Sequence, residues 1–218
     1  MVGARSYDDP CGTARALDVI GERWALLIVR DLLFGPKRFG TLRSGLSGVS
    51  PNVLSQRLRD LEDAGIVRRE HLPPPADVSV YTLTDRGRAL EPVLIELGRW
   101  GSAEHMSTNR ELGVDAFALA LKTTFVGHGS TSAATYALQI SGEWFSLAVR
   151  DGCVDIARSR PASADVELTG AVGALRSYAF GRKSLDELEA AGSLTVSGNR
   201  AAARRFPRLF RIPDRRSA

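Results

Sequence analysis

Asn52, Ser55, Gln56 and Arg59 are amide, hydroxyl and guanidinium side chains that recur on one side of a helix. Groups of these types hydrogen-bond base edges and phosphates. Leu54, Leu58 and Leu61 fall on the opposite face at helical spacing and offer it a core to pack against. The segment has a defined start and stop. Ser50 can cap the free amides of a first turn, Pro51 suits the first helical position, and Gly65 suits a left-handed exit. Glu62 and Asp63 sit at the far end, where they would repel phosphate. Such a helix is expected to enter a nucleic-acid groove by its N-terminal half.

The surrounding elements must hold that helix in place. Residues 13–20, 23–33 and 39–43 read as three helices, with Gly35 and Pro36 ending the second and a turn at 45–48 following the third. After the polar-faced helix, residues 66–70 have strand character and 73–77 must turn. Residues 78–83 then alternate apolar and polar. Helix, turn, helix and two-stranded hairpin is the order of a winged helix-turn-helix. The candidate DNA contacts are Lys37, Arg38, Arg43, Ser50, Pro51, Asn52, Ser55, Gln56, Arg57, Arg59, Arg68, Arg69 and His71.

From Cys11 to Trp100 the chain resembles the HxlR family of bacterial transcriptional regulators, a branch of the wider MarR-like winged-helix group. The resemblance rests on Leu17-Asp18-Val19-Ile20-Gly21-Glu22-Arg23-Trp24, Leu26-Leu27-Ile28-Val29-Arg30-Asp31-Leu32 and Gly35-Pro36-Lys37-Arg38-Phe39. It continues through Ser50-Pro51-Asn52-Val53-Leu54-Ser55-Gln56-Arg57-Leu58, Leu61-Glu62-Asp63-Ala64-Gly65 and Tyr81-Thr82-Leu83-Thr84. It implies a homodimer on double-stranded DNA, with a near-palindromic operator and a role as repressor. Thr84 can cap a helix from residue 85, and Leu90, Val93, Leu94, Leu97 and Trp100 form its apolar stripe, the expected dimer contact. Cys11 stands where several members of the family carry a sensing cysteine. A helix N-terminus favours its thiolate, as Arg15 could, whereas Asp8 and Asp9 oppose it.

The whole chain sets further bounds. Its 218 residues include 44% apolar and 25% charged side chains, ordinary for a soluble globular protein. No apolar run reaches the ~18–20 residues of a membrane span, and residues 1–6 lack the apolar core of a secretory signal. A cytoplasmic protein without membrane contact is expected. Two cysteines make no disulfide framework, and His71, His105 and His128 show no metal-ligand spacing, so no metal or other cofactor is expected. Net charge is +4, yet residues 1–105 hold 14 basic and 14 acidic side chains, so charge favours DNA there only through a local patch. A second cluster, Arg200, Arg204, Arg205, Arg208, Arg211, Arg215 and Arg216, reads as a solvated helix face.

The chain divides into residues 1–105, a polar linker at 106–113 and a second domain at 114–218. In that domain residues 115–121 read as a helix. Strands are expected at 134–140, 144–149, 153–157 and 165–168, helices at 171–181 and 185–191, a strand at 194–198 and a last helix at 200–210. The class is α+β throughout, with an N-terminal winged helix-turn-helix followed by a smaller α+β domain. Ala164-Asp165-Val166-Glu167-Leu168-Thr169-Gly170, Phe180-Gly181-Arg182-Lys183 and Ala191-Gly192-Ser193-Leu194-Thr195-Val196-Ser197-Gly198-Asn199 resemble the end of sterol carrier protein-like domains. That resemblance implies an apolar cavity and a hydrophobic or amphipathic effector. Phe117, Phe125, Tyr136, Trp144, Phe145, Tyr178 and Phe180 are candidates to line it, and Cys153 reads as a small buried hydrophobe. No catalytic constellation is recognisable, so the expectation is a regulator and not an enzyme. The alternative is a lipid carrier whose winged helix binds protein, which would have no need of exposed Asn52, Gln56 and Arg59.

Overall fold

A computed structural model of the chain describes residues 6–103, 110–127 and 133–213. His105, His128, Arg215, Arg216 and residues 106–109 of the expected linker lie outside them. By internal contacts the chain falls into two units, Met1–Leu94 and Ile95–Ala218.

In the first unit, α1 (Gly12–Ile20), α2 (Ala25–Leu32), α3 (Phe39–Gly45) and α4 (Pro51–Asp63) precede a hairpin of β1 (Val67–Leu72) and β2 (Val78–Leu83). The second helix begins at Ala25 and not at residue 23, because Trp24 holds a left-handed φ of 80° that cannot continue a helix. The Ser50 hydroxyl accepts the Val53 amide at 3.3 Å, and Gly65 leaves α4 with a left-handed φ of 68°. Leu54, Leu58 and Leu61 are fully buried with Ile28, Leu32 and Leu42. Removing any one of these side chains would cost about 2–5 kcal/mol.

The hairpin pairs Val67 with Leu83 through to Leu72 with Val78. It is fastened along β2 and at its open end. Lys37 and Tyr81 exchange backbone hydrogen bonds of 3.0 and 2.8 Å, and the Thr84 amide donates to the Ile66 carbonyl at 3.0 Å. A Cβ at residue 87 would lie 2.2 Å from that same carbonyl oxygen, so only glycine permits the approach.

Thr84 caps the next helix as expected, accepting the Gly87 amide at 3.1 Å. The helix does not run on to residue 100. It splits into α5 (Asp85–Arg88) and α6 (Glu91–Ser102). Pro92 accounts for the break, since it has no amide to donate and its ring opposes the carbonyl four residues earlier. The apolar stripe divides accordingly: Leu94 is buried within the chain, Leu90 is half-buried, and Val93, Leu97 and Trp100 are 46%, 47% and 65% exposed.

In the second unit, α7 (Val114–Thr124) precedes β3 (Ala134–Ile140), β4 (Glu143–Arg150), β5 (Cys153–Ala157), β6 (Val166–Gly170), α8 (Val172–Ala179), α9 (Leu185–Ala190), β7 (Leu194–Gly198) and α10 (Arg200–Arg205). The sheet order is β5-β4-β3-β6-β7, antiparallel except for the β3–β6 pair. Alternate residues Tyr136, Leu138, Ile140, Phe145, Leu147 and Val149 turn to one buried face. The expected last helix turns 3₁₀ at Phe206–Leu209, where Pro207 removes an amide donor.

Phe206 fills the interior. Its ring stacks on Tyr178 at 6.0 Å and lies 5.0 Å from both Tyr136 and Phe210. The two tyrosine hydroxyls donate to the carbonyls of Ala202 and Ala203. Arg200 pairs with Glu189, and Arg204 with Asp186 at 2.9 Å, so these members of the basic cluster tie α10 to α9 instead of facing solvent alone. Burial pushes the Tyr178 phenol up to about 12 and Tyr136 upward as well. The fold therefore favours the neutral phenol. That contribution is whole below the ordinary value of 10.0 and is lost as pH rises toward 12. The urea midpoint of the full chain is expected to fall over that window, and Tyr178→Phe to flatten the fall. An equally steep fall in the variant would contradict this assignment.

Candidate nucleic-acid interface

Burial of the leucine face turns Asn52, Gln56 and Arg59 of α4 to solvent, with Ser55 half-buried beside them. The Ser50 hydroxyl is engaged as the cap, and Pro51 is exposed at the first turn. Val53 is 41% exposed among these polar groups, an apolar surface that could meet a thymine methyl. A single valine breaks no pattern in the sequence, so nothing local marks it.

The polar side chains form a connected array. Gln56 Nε2 donates to Asp60 Oδ1 at 2.8 Å, and Arg59 Nη2 donates to Gln56 Oε1 at 2.7 Å. Arg57 is a correction to the expected contact set. Its side chain is 16% exposed, donating to Asp60 at 2.9 Å and to Glu22 at 3.2 Å, so it ties α4 to the α1–α2 turn. That pairing spans 35 residues of sequence, and no local pattern announces it.

Arg38 and Arg43 flank the helix exposed, and Arg69 is exposed on the hairpin; among the described residues none of the three has an ion-pair partner. Lys37 is half-buried. On the hairpin Arg68 pairs with Glu70, and His71 lies 2.8 Å from Asp77. Arginines that are already unpaired can meet phosphates without breaking an ion pair first. The Arg68–Glu70 pair lies at the surface, where an ion pair breaks at little cost.

The seven aromatics expected to line a cavity do not gather around one. Phe117, Tyr136, Phe145 and Tyr178 are core residues at 0–2% exposure, and Phe180 meets Phe117 edge to face. Arg160 covers Trp144 at 4.3 Å, and Phe125 packs on Phe210. Phe206 packs against the two tyrosines of the set, Tyr136 and Tyr178. Cys153 is exposed on the edge strand β5 and not buried. A cleft of about 480 Å³ in the first unit, between α1, Ile66 and the Arg86–Leu90 stretch, carries Arg15 and Arg86 on apolar walls. Its walls come from residues far apart in sequence, so no local pattern marks it.

No group of three or more potential metal ligands occurs among the described residues, and no helix among them is long and apolar enough to cross a membrane. Cys11 is exposed at the cap of α1, and hydrogen bonds from the Thr13 and Ala14 amides hold its thiol below the usual range.

The first unit is a winged helix-turn-helix. Residues 19–109 match the HxlR-like helix-turn-helix family, and residues 129–211 match the SCP-2 sterol transfer family. The helix-turn-helix-type transcriptional regulator YvaP of Bacillus subtilis is 41% identical over 88 residues, 40% of this chain and 82% of that protein. YodB of the same organism, also a helix-turn-helix-type transcriptional regulator, is 39% identical over 85 residues, covering 39% and 76%. The solved reduced form of YodB is 36% identical over 43% of this chain and 93% of its own, with a TM-score of 0.39. The chain belongs to the HxlR-like helix-turn-helix family of transcriptional regulators.

The thiol geometry yields a direct expectation. Alkylation of Cys11 by iodoacetamide should reach half its maximal rate below the ordinary thiol value of 9.0, and Cys11→Ser should remove that component. A Cys11 rate that rises only above 9.0 would refute the thiolate assignment.

Proposed function

We propose that the protein is a homodimeric repressor that acts in the cytoplasm and binds a near-palindromic operator through α4. One observation carries this reading: α4 buries Leu54, Leu58 and Leu61 and offers Asn52, Gln56 and Arg59 to solvent, and the neighbouring α3 and hairpin carry unpaired Arg38, Arg43 and Arg69. The polar groups are suited to base edges in a major groove and the arginines to backbone phosphates. Val93, Leu97 and Trp100 supply an exposed apolar face at i, i+4 and i+7 for a second copy.

The test has two arms. Arg38→Ala and Arg43→Ala are expected to weaken binding to all duplex DNA alike, each lowering the salt slope by about 1. Leu97→Glu is expected to give monomers in light scattering that bind a selected operator poorly. Unchanged salt slopes would remove the arginines from the interface, and a Leu97→Glu variant that stays dimeric would place the contact elsewhere.

For the second domain we infer an apolar or amphipathic effector, a reading supported by the match to the SCP-2 sterol transfer family over residues 129–211. Phe206 lies against Tyr136 and Tyr178, so a molecule seated on those two rings would have to displace it. A medium-chain fatty acid is expected to lower operator affinity of the full chain and to leave a folded chain truncated after His105 unaffected. A truncated chain that responds equally would locate the sensor in the first domain, and a full chain whose operator affinity the fatty acid leaves unchanged would remove the effector role.

A further inference from the structure

The contacts along α4 connect into one chain that begins outside the helix. Glu22, on the turn between α1 and α2, accepts from Arg57 Nη2 at 3.2 Å, and Arg57 Nη1 donates to Asp60 Oδ2 at 2.9 Å. The other oxygen of Asp60 accepts from Gln56 Nε2 at 2.8 Å, and Gln56 Oε1 accepts from Arg59 Nη2 at 2.7 Å. Charges alternate along it: Glu22 negative, Arg57 positive, Asp60 negative, and Arg59 positive beyond the neutral amide. We propose that Glu22 and Asp60 are positioning residues for DNA reading, which fix the amide orientation of Gln56 and the direction of Arg59 before DNA arrives. The inference rests on the reading of α4 as the DNA-facing helix.

Three observations carry it. Asp60 has one oxygen for each neighbour, so a single carboxylate sets both the reading pair and its anchor. Arg57 is largely buried, and its Nε has no partner, so its two terminal nitrogens provide its hydrogen bonds and hold the guanidinium between Glu22 and Asp60. An unheld glutamine can present either end of its amide to a base. Here the oxygen is turned to Arg59 and the nitrogen to Asp60, which removes that ambiguity. Side chains ordered in advance lose less freedom on binding, so more of each base contact appears as affinity.

The sign of the effect separates this account from plain electrostatics. Glu22→Gln and Asp60→Asn each remove a negative charge near a surface that meets phosphate. Charge alone predicts tighter binding to every duplex. The positioning account predicts weaker binding to the operator, on the order of tenfold, with random-sequence DNA bound as well as before or better.

The experiment selects an operator with the full-length protein from a randomised duplex pool. It then measures operator and random-sequence affinity for the wild type, Glu22→Gln and Asp60→Asn, at a temperature where thermal melts show all three folded. A fall in the ratio of operator to random affinity in both variants, with broadened base preference at the positions read by Gln56 and Arg59, supports the proposal. An unchanged ratio overturns it. Loss of operator and random binding together also overturns it, since that reports damaged docking and not lost orientation. A wild type that enriches no sequence sinks the DNA reading itself and the inference with it, an outcome distinguishable from a variant that merely keeps its specificity.

Discussion

The commitment of one face of α4 to the core is the constraint from which the rest of the first domain follows. Leu54, Leu58 and Leu61 are at 0–1% exposure, each worth roughly 1.5–3 kcal/mol in burial. With three anchors along thirteen residues the helix cannot roll about its axis. Asn52, Gln56 and Arg59 face outward because the leucines face inward. Polar side chains of this kind gain little by folding and are displayed by a helix whose opposite side has nowhere else to go.

The hairpin and the following helix are seated on the exit of α4. Thr84 bonds back to the carbonyls of Gly65 and Ile66, and Gly87 closes over Ile66 so tightly that any side chain would collide. Tyr81 pairs with Lys37 on the approach to α3. The hairpin, α5 and the strand-like stretch before α3 thus share the register of the helix that carries the polar face. Arg57 adds a fourth tie at the α1–α2 turn. A regulator needs such rigidity, because groove recognition depends on placing side chains to within a fraction of an ångström.

How much of this could be read beforehand follows the range of the interactions involved. Ser50, Pro51 and Gly65 announce the ends of α4 within the helix itself, and the leucine spacing announces its buried side, so both were legible. The strands of the second domain were legible for the same reason, since Tyr136, Leu138 and Ile140 alternate over one pleat. Pro92 was in view, and the helix break it causes follows from its missing amide; the apolar stripe hid it. Arg57 looks like a DNA contact in sequence because it stands among polar neighbours, and its pairing with Glu22 depends on how α1 and α2 turn. The aromatics of the second domain suggest a cavity by their number, yet their partners are set by long-range packing: Phe206 for Tyr136 and Tyr178, Phe210 for Phe125 and Arg160 for Trp144. Cys153 looked like core because it lies in a strand, but that strand is at the edge of the sheet.

If the outward face of α4 lies in a major groove, guanine methylation interference detects it most directly. Methylation at guanine N7 blocks the major groove without altering the phosphates. With the full-length protein on its selected operator, interference is predicted at guanines in two clusters centred about one helical turn apart, one for each copy of α4. Binding that is indifferent to N7 methylation, while the backbone remains protected, would show a protein that holds DNA without reading it through this helix, and would contradict the account.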